Sequence, residues 1–516
     1  MADIHPPVLA AKSLEEIYTQ PSLPAQTTRW ASLTELFKKN YSHLPQFVAR
    51  APGRVNIIGE HIDYCGFSVL PAAIEPDILI AASASYSSNP STDQLVQVKA
   101  LNLNPIYPEL CFSYKPSSKL ELANGGWPDY LKSAFNIALD HLQASSSLMR
   151  IPTSIKFLVH GTLPAGSGLS SSAAFITASL LAILHIHQPL GSQLSKSLVA
   201  SLATVAEQAC GVSVGGMDQT ASVFGWPGQV LHIEFTPTTQ VVPLDLPNQP
   251  RTTFVIANSL VTSNKLESAK EQYNLRVVEC RIATRLLSSL LLSEIKKAPN
   301  TLRELLDLYK PAQPIMETIQ DVLDKMAKSE KLGSEAGLTL PLMLEKLQMT
   351  QEQFESDIIR GLEVKPKGGV FKPLNRARHV FREARRVYQF KELLEKTKQN
   401  QHAEETIHRM GELMRKSQTS CQLDYECSCE ALDQLVTIAS AHKSIGSRLT
   451  GAGWGGASVH LVRDEHVADL IKALHSKYYA IRFPQLSYQE LSDACFATKP
   501  EGGACIFTTP ETFVNS

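Results

Sequence analysis

Residues 51–71 read APGRVNIIGEHIDYCGFSVLP. Arg54, Glu60, His61 and Asp63 fall within ten positions, set among glycines and between β-rich runs. If the backbone curls there, four groups able to donate, accept or carry charge can face one small polar object. The flanks, QFVARAPG before and FSVLPAAIEPDILIAASAS after, are short β-branched runs punctuated by Gly and Pro, which predicts sheet.

Further along, LPAGSGLSSSAAF (163–175) follows an alternating strand pattern, TSIKFLVHGTL, and precedes AAFITASLLAILHI, a run apolar on nearly all faces that predicts a buried helix. Glycines in such a loop let backbone approach a ligand, and the N–H groups of the first helical turn carry the positive end of the helix dipole, so the loop suits phosphate. It is not a G-x-x-x-x-G-K-[ST] loop, and it supplies no lysine; Ser170, Ser171 and Ser172 offer hydroxyls for capping or for a magnesium ion. A Ser-capped helix after a flexible turn fits the same residues. In AEQACGVSVGGMDQTASVFG, Asp218 follows Gly215 and Gly216, where an Asx-turn or N-cap is the plain alternative to a functional carboxylate. Taken together, Asp218 as proton acceptor, Arg54 as cation and Glu60, His61 and Asp63 as acceptor-fixing groups meet the needs of phosphoryl transfer.

The bulk properties agree with a small-molecule enzyme. At 516 residues the chain is long enough for two or three domains. Its 49 Lys+Arg against 50 Asp+Glu give a formal net charge of -1, with no global pull toward nucleic acid or anionic membrane. No apolar run reaches the ~18–20 residues of a spanning helix. The N-terminus has an acid at its third position and neither the basic nor the apolar region of a secretory signal, which predicts a cytoplasmic protein. Nine scattered cysteines read as free thiols, and CQLDYECSC lacks the paired spacing of a zinc site.

Organisation follows the same patterns. We expect a Pro-rich arm over residues 1–25, loosely docked, an N-terminal lobe over 26–247 and a C-terminal lobe with a helical insertion over 248–516, the seam lying at the Pro-rich link near 246–250. The basic stretch EVKPKGGVFKPLNRARHVFREARR reads as a loop and solvated helix face, and ACFATKPEGGACIF as a closing strand pair.

Three segments carry a family resemblance. GRVNIIGEHIDY resembles the galactokinase signature, LPAGSGLSSSAAF is similar to the second motif of the GHMP small-molecule kinases, and RLTGAGWGGASVHLV to their third. They occur in family order, and SNKLESAKEQYNLRVVEC and SCQLDYECSCEALDQL also resemble galactokinase segments, most like fungal ones; the likeness spans residues 47–507. It implies the α+β GHMP kinase fold, two lobes with the active site in the cleft between them, and ATP-dependent phosphorylation of the anomeric hydroxyl of α-D-galactose, the first step of galactose catabolism. It further implies that Arg54 and Asp218 are catalytic, and that Arg54, Glu60, His61, Asp63, Gly215, Asp218 and Tyr273 hold the sugar. ATP would lie along Ala165, Gly166, Ser167, Gly168, Leu169, Ser170 and Ser171 with Ser263, Asn264 and Lys265 nearby, and Mg2+ on Ser172 and Glu207. Trp127 either walls the adenine pocket or packs in the core, and Arg448 with the glycines of TGAGWGGAS braces the phosphate loop. The family pattern also leaves an N-acetylgalactosamine kinase, or a galactose- and ATP-dependent sensor with a transcriptional repressor as partner, as alternatives; a monomer is expected.

Overall fold

The computed structural model describes residues 6–508 except 89–90, 92, 124, 146–148, 248, 263–268, 294–297 and 398–402. In chain order the first part holds β1 (Leu9–Ala11), α1 (Leu23–Tyr41), β2 (Phe47–Ile58), β3 (Leu70–Tyr86), β4 (Val96–Asn102), β5 (Leu110–Tyr114), α2 (Trp127–Ala144), β6 (Pro152–Gly161), α3 (Ser171–His187), α4 (Lys196–Ala209), α5 (Met217–Phe224) and the hairpin β7 (Gln229–Glu234) and β8 (Gln240–Asp245). After the expected seam come β9 (Thr252–Asn258) and α6 (Tyr273–Leu291), then a helical stretch that includes the helices Pro373–Thr397 and Ala403–Leu423.

Strand β2 is buried along its whole length because the sheet is covered on both sides. Alternation sends Phe47, Ala49 and Ala51 into the main core with α3, and Val48 into a smaller core with Trp30, Leu33 and Phe37 of α1. The seven-stranded sheet runs β1, Cys505–Thr508, β2, β3, β6, β4, β5, and a second, four-stranded sheet runs Ser444–Thr450, Ala457–Arg463, β9, Cys495–Thr498. Helix α3, apolar all round in sequence, is buried on nearly every side.

Three local expectations change. The tail does not form a strand pair with itself: Cys495–Thr498 pairs with β9 in the second sheet, whereas Cys505–Thr508 crosses to the first and pairs with β2 and β1. The N-terminal arm is integrated, with Leu14, Ile17 and Tyr18 buried and the Tyr18 hydroxyl donating to Asp77 Oδ2 at 2.6 Å. A three-residue strand and a single 3-10 turn are too short to leave a periodic signature. The basic stretch contains a 25-residue helix whose Arg376, His379, Glu383 and Arg386 are buried, at spacings of three and four that form one face. All nine cysteines are free thiols. Among the described residues no helix is long and apolar enough to cross a membrane.

Candidate active site

Arg54 leaves β2 just after the register with β3 shifts between Pro52 and Arg54. Gly53 is required at that shift: a Cβ there would stand 2.4 Å from a Leu163 methyl and 2.8 Å from the Leu169 carbonyl. The strand therefore passes directly under the 163–169 loop, and Arg54 N–H donates to Leu169 O at 3.2 Å. The guanidinium holds Asp218 through Nε and Nη2, each 2.7 Å from Oδ1, while Nη1 donates to Gly168 O at 2.8 Å. Asp218 sits in the first turn of α5, where the helix dipole favours a carboxylate, and its Oδ2 accepts from Ser170 Oγ at 2.6 Å. One carboxylate thus joins the arginine to the Gly-Ser loop.

Arg54, Glu60, His61, Asp63, Asp218 and Tyr273 line one small cavity, closed by backbone at Gly216, Gly451 and Ala452. Asp63 opens a short 3-10 turn, and Gly215 packs so tightly behind it that a Cβ would lie 2.6 Å from Asp63 Oδ2 and 2.4 Å from Tyr64 N. His61 holds a left-handed backbone, φ 61°, which costs a non-glycine residue energy and has to be held by its surroundings. Its Nε2 lies 2.9 Å from Ala452 O and its Nδ1 3.0 Å from the Tyr64 hydroxyl, which is 2.5 Å from the Tyr425 hydroxyl. With Nε2–H donating to the carbonyl, Nδ1 is the acceptor and Tyr64 the donor. The ring nitrogens are thus engaged within the protein, and His61 presents its ring to the cavity. The Tyr273 ring stands 5.4 Å from it, and burial, then Asp63 and Asp218, hold the Tyr273 phenol protonated.

Glu60 is almost fully buried, 3.0 Å from Arg448 Nη2. Burial outweighs the attraction of Arg448 and Arg54 and pushes its carboxyl up to about 7. The Gly59–Glu60 backbone is gripped from the 373–397 helix: Glu383 Oε1 accepts from Gly59 N at 2.9 Å and Glu60 N at 3.3 Å, and His379 Nε2 lies 2.9 Å from Glu60 O. Burial lowers the His379 imidazole to about 4, so it is neutral and its Nε2–H donates. Sequence reading missed these supports, and Tyr64 and Tyr425 with them. The signal that could have found the helical pair is the three-and-four spacing of Arg376, His379, Glu383 and Arg386.

Ala165 to Ser170 lie between β6 and α3, and Ser171 opens the helix. Gly166 and Gly168 have φ of 69° and 73°, and Ser170 takes φ 62° as N-cap of α3 without capping it. The third-motif glycines press on this loop: a Cβ on Gly451 would meet Gly168 O at 2.4 Å, and one on Gly456 would meet Ser167 at 3.0 Å. They brace it as expected, whereas Arg448 instead serves Glu60 and donates to Asn56 O at 3.1 Å. Ser172 Oγ donates to Glu207 Oε1 at 2.7 Å, and Gln219 donates to the other Glu207 oxygen. Trp127 is buried and packs against Phe175 of α3 and Tyr107, the core alternative of the two readings. Ser263, Asn264 and Lys265 lie outside the described residues.

Fold and site together define a class, the GHMP small-molecule kinases. Models of the GHMP kinase N-terminal and C-terminal domains match residues 129–226 and 391–480, and the galactokinase galactose-binding signature matches residues 35–84. Galactokinase of Saccharomyces cerevisiae is 35% identical over 505 residues, covering 92% of this chain and 94% of the relative. Those of Candida parapsilosis and Dictyostelium discoideum are 36% and 33% identical, each over at least 95% of both chains. Among solved structures, Lactococcus lactis galactokinase complexed with galactose superposes with a TM-score of 0.65 at 22% identity, covering 92% of this chain and 99% of that one. The chain belongs to the galactokinase family.

Proposed function

We propose that this chain is an ATP-dependent sugar 1-kinase that phosphorylates the anomeric hydroxyl of α-D-galactose, giving galactose 1-phosphate and ADP. The observation that carries the reading is Asp218: the same carboxylate bonds Arg54 on the sugar-side wall and Ser170 of the phosphate loop. Sugar hydroxyls bonded to Glu60, Asp63 and Tyr273, with the His61 ring as wall, bring O1 to Asp218 Oδ2. There the O1–H takes over the position of the Ser170 hydroxyl and gives its proton to the carboxylate, a contribution of about 10²–10⁴-fold for a positioned base. The γ-phosphoryl group lies at the N-terminus of α3, where N–H groups stabilise the charge spread over its oxygens in transfer. Arg54 neutralises charge between acceptor and phosphate. A site that pairs charged side chains with an axial O4 leaves a buried group unpaired when the epimer binds, which is the basis of discrimination against glucose.

Ser172 and Glu207 are hard oxygen donors brought within 2.7 Å of each other beside the loop, a fit to Mg2+; they would hold it, and it would offset phosphate charge. The full-length match to named galactokinases does not favour an N-acetylgalactosamine kinase or a sensor. We place the protein in the cytoplasm as a monomer.

The test is ADP release by the purified protein with ATP and Mg2+ on galactose, glucose and N-acetylgalactosamine in parallel. Turnover strongest on galactose is expected. Turnover strongest on N-acetylgalactosamine, or none on any sugar, would overturn the assignment.

A further inference from the structure

A second cavity, of about 500 Å3, opens away from the catalytic cleft, where the N-terminal arm crosses the start of α4. That volume lies in the range of small-molecule sites, ~300–1,000 Å3. Its walls are mostly apolar: Pro7, Leu9, Ile17, Trp226 and Ile506 line it, and Trp226 and Leu9 form a partly exposed mouth. They are also held in place. Val8 N–H donates to Leu194 O at 2.8 Å, Gly503 N–H to Gly225 O at 2.9 Å and Ala504 N–H to Ser222 O at 2.8 Å, so arm, α4, α5 and the returning last strand are tied around the space.

Into this space projects Lys196, only 8% exposed. Its Nζ stands 5.8 Å from the ring centroids of both Phe224 and Trp226. Among the described residues no carboxylate lies within ion-pair distance of it and no acceptor takes its hydrogen bond. Cation–π contacts of this kind return less than taking an ammonium out of water costs. The other titratable groups facing it do not supply the missing charge. Burial pushes the Cys505 thiol up to about 12, burial and Arg150 hold the His185 imidazole below its ordinary range, and Glu16 is an exposed rim residue whose Oε2 accepts from Lys12 N at 3.2 Å. Burial lowers Lys196 itself, which an incoming anion would reverse.

We propose that this cavity is a binding site for a small apolar monocarboxylate, its carboxylate on Lys196 and its hydrocarbon against the arm and Trp226. One cation in a mostly apolar chamber matches one anionic head on an apolar body; Glu16, His185, Ser192 and Gln193, the other polar side chains of the lining, add no second cation.

Titration calorimetry on the full-length protein with octanoate, octylamine and 1-octanol tests it. We expect one octanoate to bind per chain, octanol at least tenfold more weakly and octylamine not at all. Lys196→Met should weaken octanoate at least tenfold while galactose turnover is unchanged. Equal binding of octanoate and octylamine, no octanoate binding, or full affinity in a folded Lys196→Met protein would overturn the site. Should Lys196→Met fail to fold, Trp226→Ala at the half-exposed mouth decides: weakened octanoate supports the site and unchanged affinity refutes it. Galactose turnover enters only as a control, so failure here leaves the kinase reading untouched.

Discussion

Strand β2 carries two buried arginine–aspartate pairs four residues apart, Arg50 with Asp77 and Arg54 with Asp218, and they are put to opposite uses. Both Asp77 oxygens are held: Arg29 Nη1 lies 2.7 Å from Oδ1, and Arg50 Nε and the Tyr18 hydroxyl each lie 2.6 Å from Oδ2. Arg50 spends its Nη1 on the Gly502 and Gly503 carbonyls. Burial would raise the Asp77 carboxyl, but Arg29 and Arg50 outweigh it and hold it below its ordinary range. Asp218 instead takes Arg54 on Oδ1, and its Oδ2 accepts from a serine hydroxyl, the neutral donor that the proposed substrate hydroxyl would replace. The register shift between Pro52 and Arg54 separates the two environments. On the function proposed above, an Arg–Asp pair serves catalysis when one oxygen faces an exchangeable donor, whereas both Asp77 oxygens are tied to Arg29, Arg50 and Tyr18 of the fold.

The largest expected effect breaks the pair proposed as catalytic. Asp218→Ala should lower galactose turnover by about 10²–10⁴-fold, with ATP binding retained by calorimetry. Asp77→Ala should do the reverse. Removing one partner of a buried ion pair costs about 3–5 kcal/mol and strands Arg50 and Arg29, so denaturant unfolding should shift strongly while turnover per folded molecule holds. If Asp77→Ala loses turnover in the folded protein as Asp218→Ala does, the division between the pairs is wrong.

Much of the site was legible because its motifs are local: Arg54 to Asp63, Ala165 to Ser172 and Gly215 to Asp218 each span a few residues whose types state a chemistry. What was not legible is what holds them. Glu383 and His379 reach the Gly59–Glu60 backbone from more than 300 residues away. Charged residues on a helix read as solvated, because sequence shows the charge and not its partner. The arm failed for a related reason: Tyr18 lies just past a single 3-10 turn and is held by Asp77 of β3, far along the chain. The buried α3 was readable because an apolar run over ten or more residues reports burial directly.

A third buried carboxylate sharpens the contrast through pH. Glu60 titrates at about 7 in the fold against an ordinary 4.5. Between those values the folded protein keeps a proton that the unfolded chain has lost, so this group's contribution is complete below about pH 4.5 and falls away as pH rises through 7. Integrated, that is about 3 kcal/mol. Glu60→Gln should remove this slope: the stability of wild type relative to the variant, from urea midpoints, should be lower at pH 7.5 than at pH 5. A constant difference would show that Arg448 keeps Glu60 ionised throughout, and would place it with Asp77.

The smallest effect concerns the wall of the proposed sugar site. The Tyr64 hydroxyl donates to His61 Nδ1 and meets Tyr425, whose oxygen lies 3.4 Å from Cys280 Sγ, so one hydroxyl links a strained histidine to a buried polar chain. Tyr64→Phe keeps the ring that packs 5.6 Å from Tyr273 and deletes only that link. Leaving buried partners unpaired costs about 1–3 kcal/mol, of which the fold bears most, because His61 keeps its bond to Ala452 O. Since the deleted hydroxyl touches neither Asp218 nor the phosphate loop, KM for galactose should rise a few-fold while kcat and KM for ATP stay near wild type. A fall in kcat with unchanged KM would instead make the tyrosine chain part of the proton-accepting machinery, and Asp218 would no longer be the one group at which the two halves of the site meet.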